Sequence, residues 1–318
     1  MHLPTLKQLR YLVALRDTMH FSSAADQCHV TQSTLSAGLQ ELESLLDAKL
    51  VERSRRGVIF TPLGEEIVGR ARGLLADAEA LVEATAASRN PLSGTLRMGV
   101  IPTIAPFFLP GALPALRDVY PDLKLHLTEA TSQELCDRLH TGSLDVVLYA
   151  LPYRCGDVEE TVLFDDPFVA AFPDRHKRGD TTLPDRVDPE SMDTQTLLLL
   201  EEGHCLRDHA LAACSIPGVD RTRSILATSL HTLVQMVDNG LGVTLLPQLA
   251  IDGGILHGTT IETVPLAEGA PPRRIGLVWR KASPRKREFQ LLARTLATCR
   301  RHPRDLAAVP DRSEAATG

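Results

Sequence analysis

The sequence predicts a multidomain chain of mixed class, an all-α N-terminal domain with a small β-wing followed by a long helix and an α/β domain. Three observations carry this. Apolar residues recur at helical spacing through the first part of the chain, a heptad-like seam follows, and beyond residue 95 strand and helix patterns alternate. At 318 residues the chain is also too long for one ordinary core.

The first helix rests on Leu6, Leu9, Leu12, Val13 and Leu15. A break at Met19-His20 precedes a second, Ser22 to Gln27, with Ser22 or Ser23 as its expected cap. Cys28-His29-Val30 makes a tight turn, and Thr31 caps a third helix with Leu35, Leu39, Leu42, Leu45 and Leu46 on its apolar face. Arg53 to Thr61 carries Gly57 among polar and β-branched residues and predicts a hairpin wing. From Leu63, positions Ile67, Ala71, Leu74, Ala78, Leu81 and Thr85 step alternately by four and three. That seam predicts helix–helix pairing; the competing reading is an amphipathic helix lying on its own domain.

Ser88 to Gly94 has the composition of a linker. Strands are expected at Thr95–Ile101, Leu123–Thr128, Leu144–Leu148, Thr196–Leu200, Val243–Leu246 and Arg274–Trp279. Helices are expected at Pro110–Tyr120, Gln133–His140, near Cys205, at Leu230–Asn239 and at Pro284–Cys299. Such alternation implies open sheets that bind ligands at the carboxyl ends of their strands. After Arg301 the chain is polar and aperiodic, and a disordered tail is expected.

Composition sets outer limits. The chain is 43% hydrophobic and 23% charged, as in soluble globular proteins. No apolar run approaches the roughly 20 residues of a membrane span, and Met1 to Lys7 lacks a signal pattern, so a cytoplasmic chain without membrane contact is expected. The net charge of −6 gives no global sign of nucleic-acid binding, so any such reading rests on local features. Of the six cysteines at 28, 136, 155, 205, 214 and 299, none forms a C-x-x-C pair, and each is by default a small buried hydrophobe.

Two features depart from that background. The third helix opens Thr31-Gln32-Ser33-Thr34-Leu35-Ser36, small polar groups plus a glutamine able to pair bidentately with adenine, and Arg53, Arg55 and Arg56 on the wing suit phosphate contact. A helix-turn-helix that binds double-stranded DNA is one reading, and an αα packing module with polar residues facing water is the other. The second feature is Gly203-His204-Cys205-Leu206-Arg207-Asp208-His209 with Cys214 beyond it. Cys205 is expected near a helix N-terminus, where the dipole with His204, Arg207 and His209 favours thiolate, while Glu201, Glu202 and Asp208 oppose it. On one continuous helix, Cys205 and Cys214 would lie roughly 13 Å apart on opposite sides, whereas a disulfide needs Cα atoms within about 7 Å. The residues themselves leave three readings open: a redox pair, two structural cysteines, or a His204/Cys205/His209 metal site.

Resemblance narrows these readings. Leu9 to Leu15, Ala24-Ala25, Thr31 to Ser36, Leu42-Glu43, Leu50 to Arg53 and Phe60 to Gly64 resemble the start of LysR-type transcriptional regulators. That resemblance implies a winged helix-turn-helix at 1–62, a dimerising linker helix at 63–90, and a regulatory domain at 91–303 with a tail at 304–318. The regulatory domain would comprise two Rossmann-like lobes arranged as in periplasmic binding proteins. It further implies a dimer of dimers on promoter DNA and contact with RNA polymerase. Ser33 stands where the family pattern has proline, a departure that puts site preference in doubt rather than binding itself.

Gly203 to Asp208 with Cys214 is similar to the peroxide-sensing OxyR branch of that family, as are Ile101-Pro102-Thr103, Ala227 to Leu230, Val243 to Pro247 and Arg274 to Val278. The likeness implies that hydrogen peroxide oxidises Cys205, that Cys214 resolves the product as a disulfide, and that a cellular thiol reductant resets it, with no cofactor or metal. Thr103, His204 and Asp208 match pocket positions directly. A further pocket threonine falls near Thr131-Ser132, where this chain has Ser132, and the pocket arginine falls at Arg273 or Arg274. The runner-up is a regulator of the same family that answers a small organic ligand bound between the lobes; a thiol peroxidase is disfavoured because it would have no use for the winged domain. Cys28, Cys136, Cys155 and Cys299 match no motif.

Overall fold

Thr5 opens the first helix, α1 (Leu6–Thr18), through a capping box with Gln8, and Met19 closes it in the left-handed region at φ 51°. The next helix, α2 (Phe21–Gln27), starts one residue earlier than its sequence pattern suggests. Extended His20 is its N-cap without a side-chain bond, so Ser22 and Ser23 lie inside the helix rather than capping it. Ser22 Oγ instead meets His20 Nδ1 at 2.8 Å. Thr31 caps α3 (Gln32–Leu46) by accepting the Thr34 N–H. Leu12, Leu15, Leu35, Leu42 and Leu50 are fully buried together. Gly38 lets α3 approach α1, since a Cβ there would sit 2.8 Å from the Tyr11 ring.

The computed structural model describes residues 3–54, 57–87, 91–177, 179, 182–189, 192, 197–214 and 226–299. The wing pairs β1 (Val51–Ser54) with β2 (Gly57–Phe60), Val51 opposite Phe60. A long helix, α4 (Pro62–Ala87), follows, with proline at its first position where no N–H is needed. Its Ile67, Val68 and Ala71 pack on the winged domain's own core, while Leu74 of the predicted seam is 55% exposed. The side chains of Leu81 and Thr85, part of the linker stretch at 88–90, and the expected tail lie outside the described residues.

The chain divides into two compact units, the first running to Pro91 and including Asp137–Asp145 and Ala282–Arg285, the second made of Leu92–Cys136, Val146–Lys281 and the residues from Lys286. From Leu92 the chain runs through β3 (Gly94–Val100), α5 (Ala105–Val119), β4 (Leu123–Glu129), α6 (Ser132–His140) and β5 (Val146–Leu151). Burial of Ala105, Phe108 and Leu109 draws α5 a turn and a half ahead of the predicted start at Pro110, so Pro110 and Pro114 both lie inside it. The strands β3, β4 and β5 are parallel, and all six residues of β5 are buried, which explains its unbroken apolar run. Two further strands, β6 (Val158–Asp166) and β12 (Arg273–Arg280), complete a sheet ordered β4-β3-β5-β12-β6, with β12 antiparallel to both neighbours.

The sequence pattern misses β6 because its side chains are mostly acidic or half-exposed; pairing with buried β12 makes it a strand. It also misses β7 (Phe168–Phe172), a short apolar run between two prolines. That strand lies between β10 (Thr244–Pro247) and β11 (Glu262–Pro265), antiparallel to each. A parallel pair, β8 (Leu199–Leu200) and β9 (Leu226–Ala227), is flanked by α7 (Cys205–Ala213) and α8 (Leu230–Asp238). Leu206, Ala210, Ala213 and Cys214 join Leu199, Leu233, Val237 and Leu245 in this lobe's core. Helices α9 (Gln248–Asp252) and α10 (Lys286–Thr298) complete the unit. Among the described residues no helix is long and apolar enough to cross a membrane.

Candidate functional site

Cys205 is the first residue of α7, placed there by a sharp exit from β8. Gly203 takes φ +94°, a conformation that strains any other L-residue, and extended His204 forms the N-cap. The thiol ends up buried, with 2% of Cys205 exposed. Burial dominates its chemistry and pushes its pKa up; the Ser132 hydroxyl, the Arg273 charge and a backbone hydrogen bond from Ala150 favour thiolate, and Asp208 opposes it. The cation that addresses the sulfur is therefore Arg273, not the sequence neighbours expected to do so. Arg207 is buried with its guanidinium 4.0 Å from Glu202, and burial holds both His204 and His209 below the usual histidine range, favouring neutral rings.

Arg273 is fully buried on the inward face of β12, and its neighbour Arg274 is exposed on the other face, as strand alternation requires. Only Arg273 joins the cluster. Its Nε donates to Asp166 Oδ2 at 2.8 Å, Nη1 to Thr103 Oγ1 at 3.0 Å and Nη2 to the Thr103 carbonyl at 3.1 Å. Asp166 accepts the Leu249 N–H at 2.9 Å through its other oxygen, so both members of this ion pair are buried and held by further hydrogen bonds.

Three buried polar atoms around this cluster have no hydrogen-bond partner among the described residues: Ser132 Oγ, Tyr149 OH and His209 Nδ1. Ser132 opens α6 and addresses the Cys205 sulfur without the geometry of a conventional hydrogen bond. Tyr149, on β5, is close enough to feel the Cys205 charge, and burial raises its phenol pKa. His209 lies one turn along α7 from Cys205, and its Nε2 meets the Pro152 carbonyl at 3.0 Å. A carbonyl only accepts, so the proton sits on Nε2 and the neutral ring turns a bare Nδ1 inward.

Cys214 caps the far end of α7, fully buried, and burial alone pushes its pKa up to about 11. Both α7 cysteines are free thiols, at opposite ends of one continuous helix. His204, Cys205 and His209 do not converge as ligands; among the described residues no group of three or more His, Cys, Asp or Glu is placed to hold a metal ion. The reading of Cys136 and Cys155 as plain buried hydrophobes is overturned, because they form a disulfide with Cα atoms 5.6 Å apart. A separation of 19 positions and the absence of a motif hid the pair from sequence. Cys28 packs partly buried on the winged-domain core, and Cys299 Sγ donates to the Thr295 carbonyl at 3.2 Å.

In the first unit, Thr31, Gln32, Ser33 and Thr34 are exposed at the start of α3, with Ser36 half-buried behind them. The Thr31 hydroxyl lies 2.9 Å from Ser33 Oγ and 2.8 Å from Thr34 Oγ1, which leaves Gln32 as the long side chain of this turn. Arg53 lies in β1 opposite Val58; Arg55 and Arg56 lie outside the described residues.

A helix-turn-helix with a wing, joined to an α/β unit that buries a thiol at a helix start, defines a regulator with a built-in site. The chain belongs to the LysR family. Residues 6–65 match the bacterial regulatory helix-turn-helix protein, lysR family, and residues 89–300 match the LysR substrate binding domain. It is 44% identical over 295 residues to the HTH-type transcriptional regulator EstR of Acinetobacter baylyi, covering 91% of this chain and 95% of that one. It is 38% identical over 296 residues to the DNA-binding transcriptional dual regulator OxyR of Escherichia coli, covering 92% and 94%. Among solved structures it resembles full-length OxyR of Pseudomonas aeruginosa with a cysteine-to-aspartate substitution, with TM-score 0.78, 38% identity, and 94% and 97% of the two chains covered. It also resembles a peroxide-bound cysteine-to-serine mutant of Corynebacterium glutamicum OxyR, with TM-score 0.61, 34% identity, and 94% and 93% covered.

Two outcomes follow from the electrostatics. Asp166→Ala leaves the buried Arg273 charge unpaired and should cost about 3–5 kcal/mol of stability in urea unfolding of the α/β unit. Cys214 has a folded pKa above its ordinary value of 9.0, so its contribution to stability is complete below pH 9.0 and is lost as pH rises through about 11. Thermal melts of the reduced chain should therefore fall more steeply across that window for wild type than for Cys214→Ala.

Proposed function

We infer that this chain is a DNA-binding transcription regulator that senses hydrogen peroxide at Cys205. The observation that carries the reading is a buried thiol next to Arg273 and Ser132, with two buried polar atoms close by, Tyr149 OH and His209 Nδ1, that have no hydrogen-bond partner among the described residues. Leaving such groups unpaired costs free energy, and a small molecule that both donates and accepts hydrogen bonds would satisfy them. Hydrogen peroxide is such a molecule, and the likeness to OxyR proteins, one of them peroxide-bound, supports the same ligand.

In the proposed pocket Thr103 fixes Arg273, Arg273 and Ser132 favour the thiolate, and His209 Nδ1 is placed to take a proton. His204 and Asp208 flank the sulfur from the N-cap and first turn, while Arg274 faces away. The Cys205 thiolate attacks the peroxide O–O bond, becoming sulfenic acid as hydroxide leaves and is protonated to water. Cys214 then gives up its proton and its thiolate attacks the sulfenic sulfur, forming the S–S bond and expelling hydroxide, which takes up that proton as a second water. A cellular thiol reductant restores both thiols. One oxidation per switching event suffices, which is the economy of a sensor rather than an enzyme.

On DNA, α3 enters the major groove with Gln32 and the neighbouring Thr31, Ser33, Thr34 and Ser36, and Arg53, Arg55 and Arg56 on the wing neutralise phosphate. The partly exposed seam of α4 pairs two chains, two pairs assemble on the promoter, and the change in their stance alters contact with RNA polymerase. The site of action is the cytoplasm. The match to the LysR substrate binding domain over residues 89–300 supports a second reading in which a small organic ligand is the signal.

Peptide mapping of alkylated thiols before and after stoichiometric peroxide, with a promoter footprint on the same samples, separates the two readings. The peroxide reading predicts a Cys205–Cys214 disulfide that forms quickly with a changed footprint in wild type and is absent in Cys205→Ser. Slow, indiscriminate cysteine oxidation with an unchanged footprint would sink it in favour of the organic ligand.

A further inference from the structure

The Cys136–Cys155 disulfide stands outside the chemistry assigned to Cys205 and Cys214, yet it joins two segments that touch that site. Cys136 lies one turn along α6 from Ser132, so the two side chains share a helix face. Both are buried, Cys136 at 3% exposure and Ser132 at 1%. Cys155 lies three residues beyond Pro152, whose carbonyl holds His209 Nε2 at 3.0 Å. The bridge therefore clamps α6, which presents Ser132 to the Cys205 sulfur, to the loop that fixes the His209 ring. Tyr153, between Pro152 and Cys155, reinforces the same junction by donating to Gln133 Oε1 on α6 and meeting Tyr149 edge-on at a centroid distance of 5.5 Å.

We propose that Cys136 and Cys155 are a second thiol–disulfide couple, which when closed holds Ser132 and His209 around Cys205 and when open lowers the reactivity of that thiol. A reducing compartment keeps most thiols open, so a bridge that tunes the sensor would report the ambient thiol poise as well as peroxide. Closure proceeds by exchange with a low-molecular-weight disulfide. The first protein thiolate attacks it, breaking its S–S bond and releasing one small thiolate, and the second protein thiolate attacks the mixed disulfide and releases the other. The released thiolates take up the two protons given up by Cys136 and Cys155, and opening by two small thiols is the reverse. Ser132 and His209 act here as positioning residues; this inference rests on the peroxide reading only for its physiological signal.

The test uses the full chain equilibrated in glutathione redox buffers and then freed of them, with differential alkylation and peptide mapping to report the Cys136–Cys155 bond. Samples with Cys205 still reduced are reacted separately with peroxide and with methyl methanethiosulfonate, a thiol reagent independent of peroxide chemistry. The couple should shift between dithiol and disulfide across the buffers. Opening it should slow Cys205 about tenfold with both reagents, on the order of what one polar group near a charged sulfur contributes when it is no longer held in place. The Cys136→Ser/Cys155→Ser double variant should react at the slow rate in every buffer, and wild type opened by glutathione supplies the same comparison without substitution. A pair that stays closed or stays open throughout, or equal Cys205 rates in the two states, overturns the proposal. If Cys205 ignores peroxide but its methanethiosulfonate rate still follows the bridge, the couple stands and the peroxide reading fails.

Discussion

The rise of α7 governs the behaviour of the site. Nine positions separate Cys205 at its first turn from Cys214 at its C-cap, and regular helix holds their Cα atoms about 13 Å apart on opposite sides. No rotamer closes that distance, because a disulfide tolerates at most about 7 Å. The two thiols can bond only if the backbone hydrogen bonds between them are given up. Packing of Leu206, Ala210 and Ala213 into the second lobe's core opposes that loss, so reduced chains keep the helix and a covalent bond is needed to break it. Under the proposed peroxide reading, a local oxidation would thereby be converted into a change of fold in the regulatory unit.

What surrounds Cys205 balances opposing effects. Burial disfavours thiolate, while Arg273, Ser132 and the Ala150 backbone favour it. The guanidinium is itself paired with Asp166, which softens its pull on the sulfur and keeps the buried charge tolerable. A neutral His209 with a bare inward nitrogen adds a proton acceptor without adding charge. The result is a thiol whose pKa burial raises and whose polar neighbours pull it back down.

Much of this was legible in residues that act locally. Thr31 as a cap, the buried leucines of α3 and the start of α7 after a strand and Gly203 all follow from short-range rules, and the structure places them accordingly. The rest depends on pairings made only by tertiary structure. Asp166 lies 107 positions from Arg273, on a strand too acidic to be recognised as one until β12 pairs with it. Arg273 and Arg274 are chemically equal in sequence, and a single step of strand register decides which is buried. The Cys136–Cys155 bridge needs α6 and the loop after β5 side by side, and no spacing rule encodes that.

Hydrogen exchange read by mass spectrometry over the peptide from Gly203 to Cys214, in reduced and peroxide-treated chains, reports directly whether joining the two thiols unwinds α7. Exchange should be slow in the reduced chain and protection lost once the Cys205–Cys214 bond has formed, with protection retained after peroxide treatment of Cys214→Ser. A Cys205–Cys214 disulfide present with protection of α7 unchanged would contradict it, since the bond would then have formed without the unwinding that the helix geometry demands.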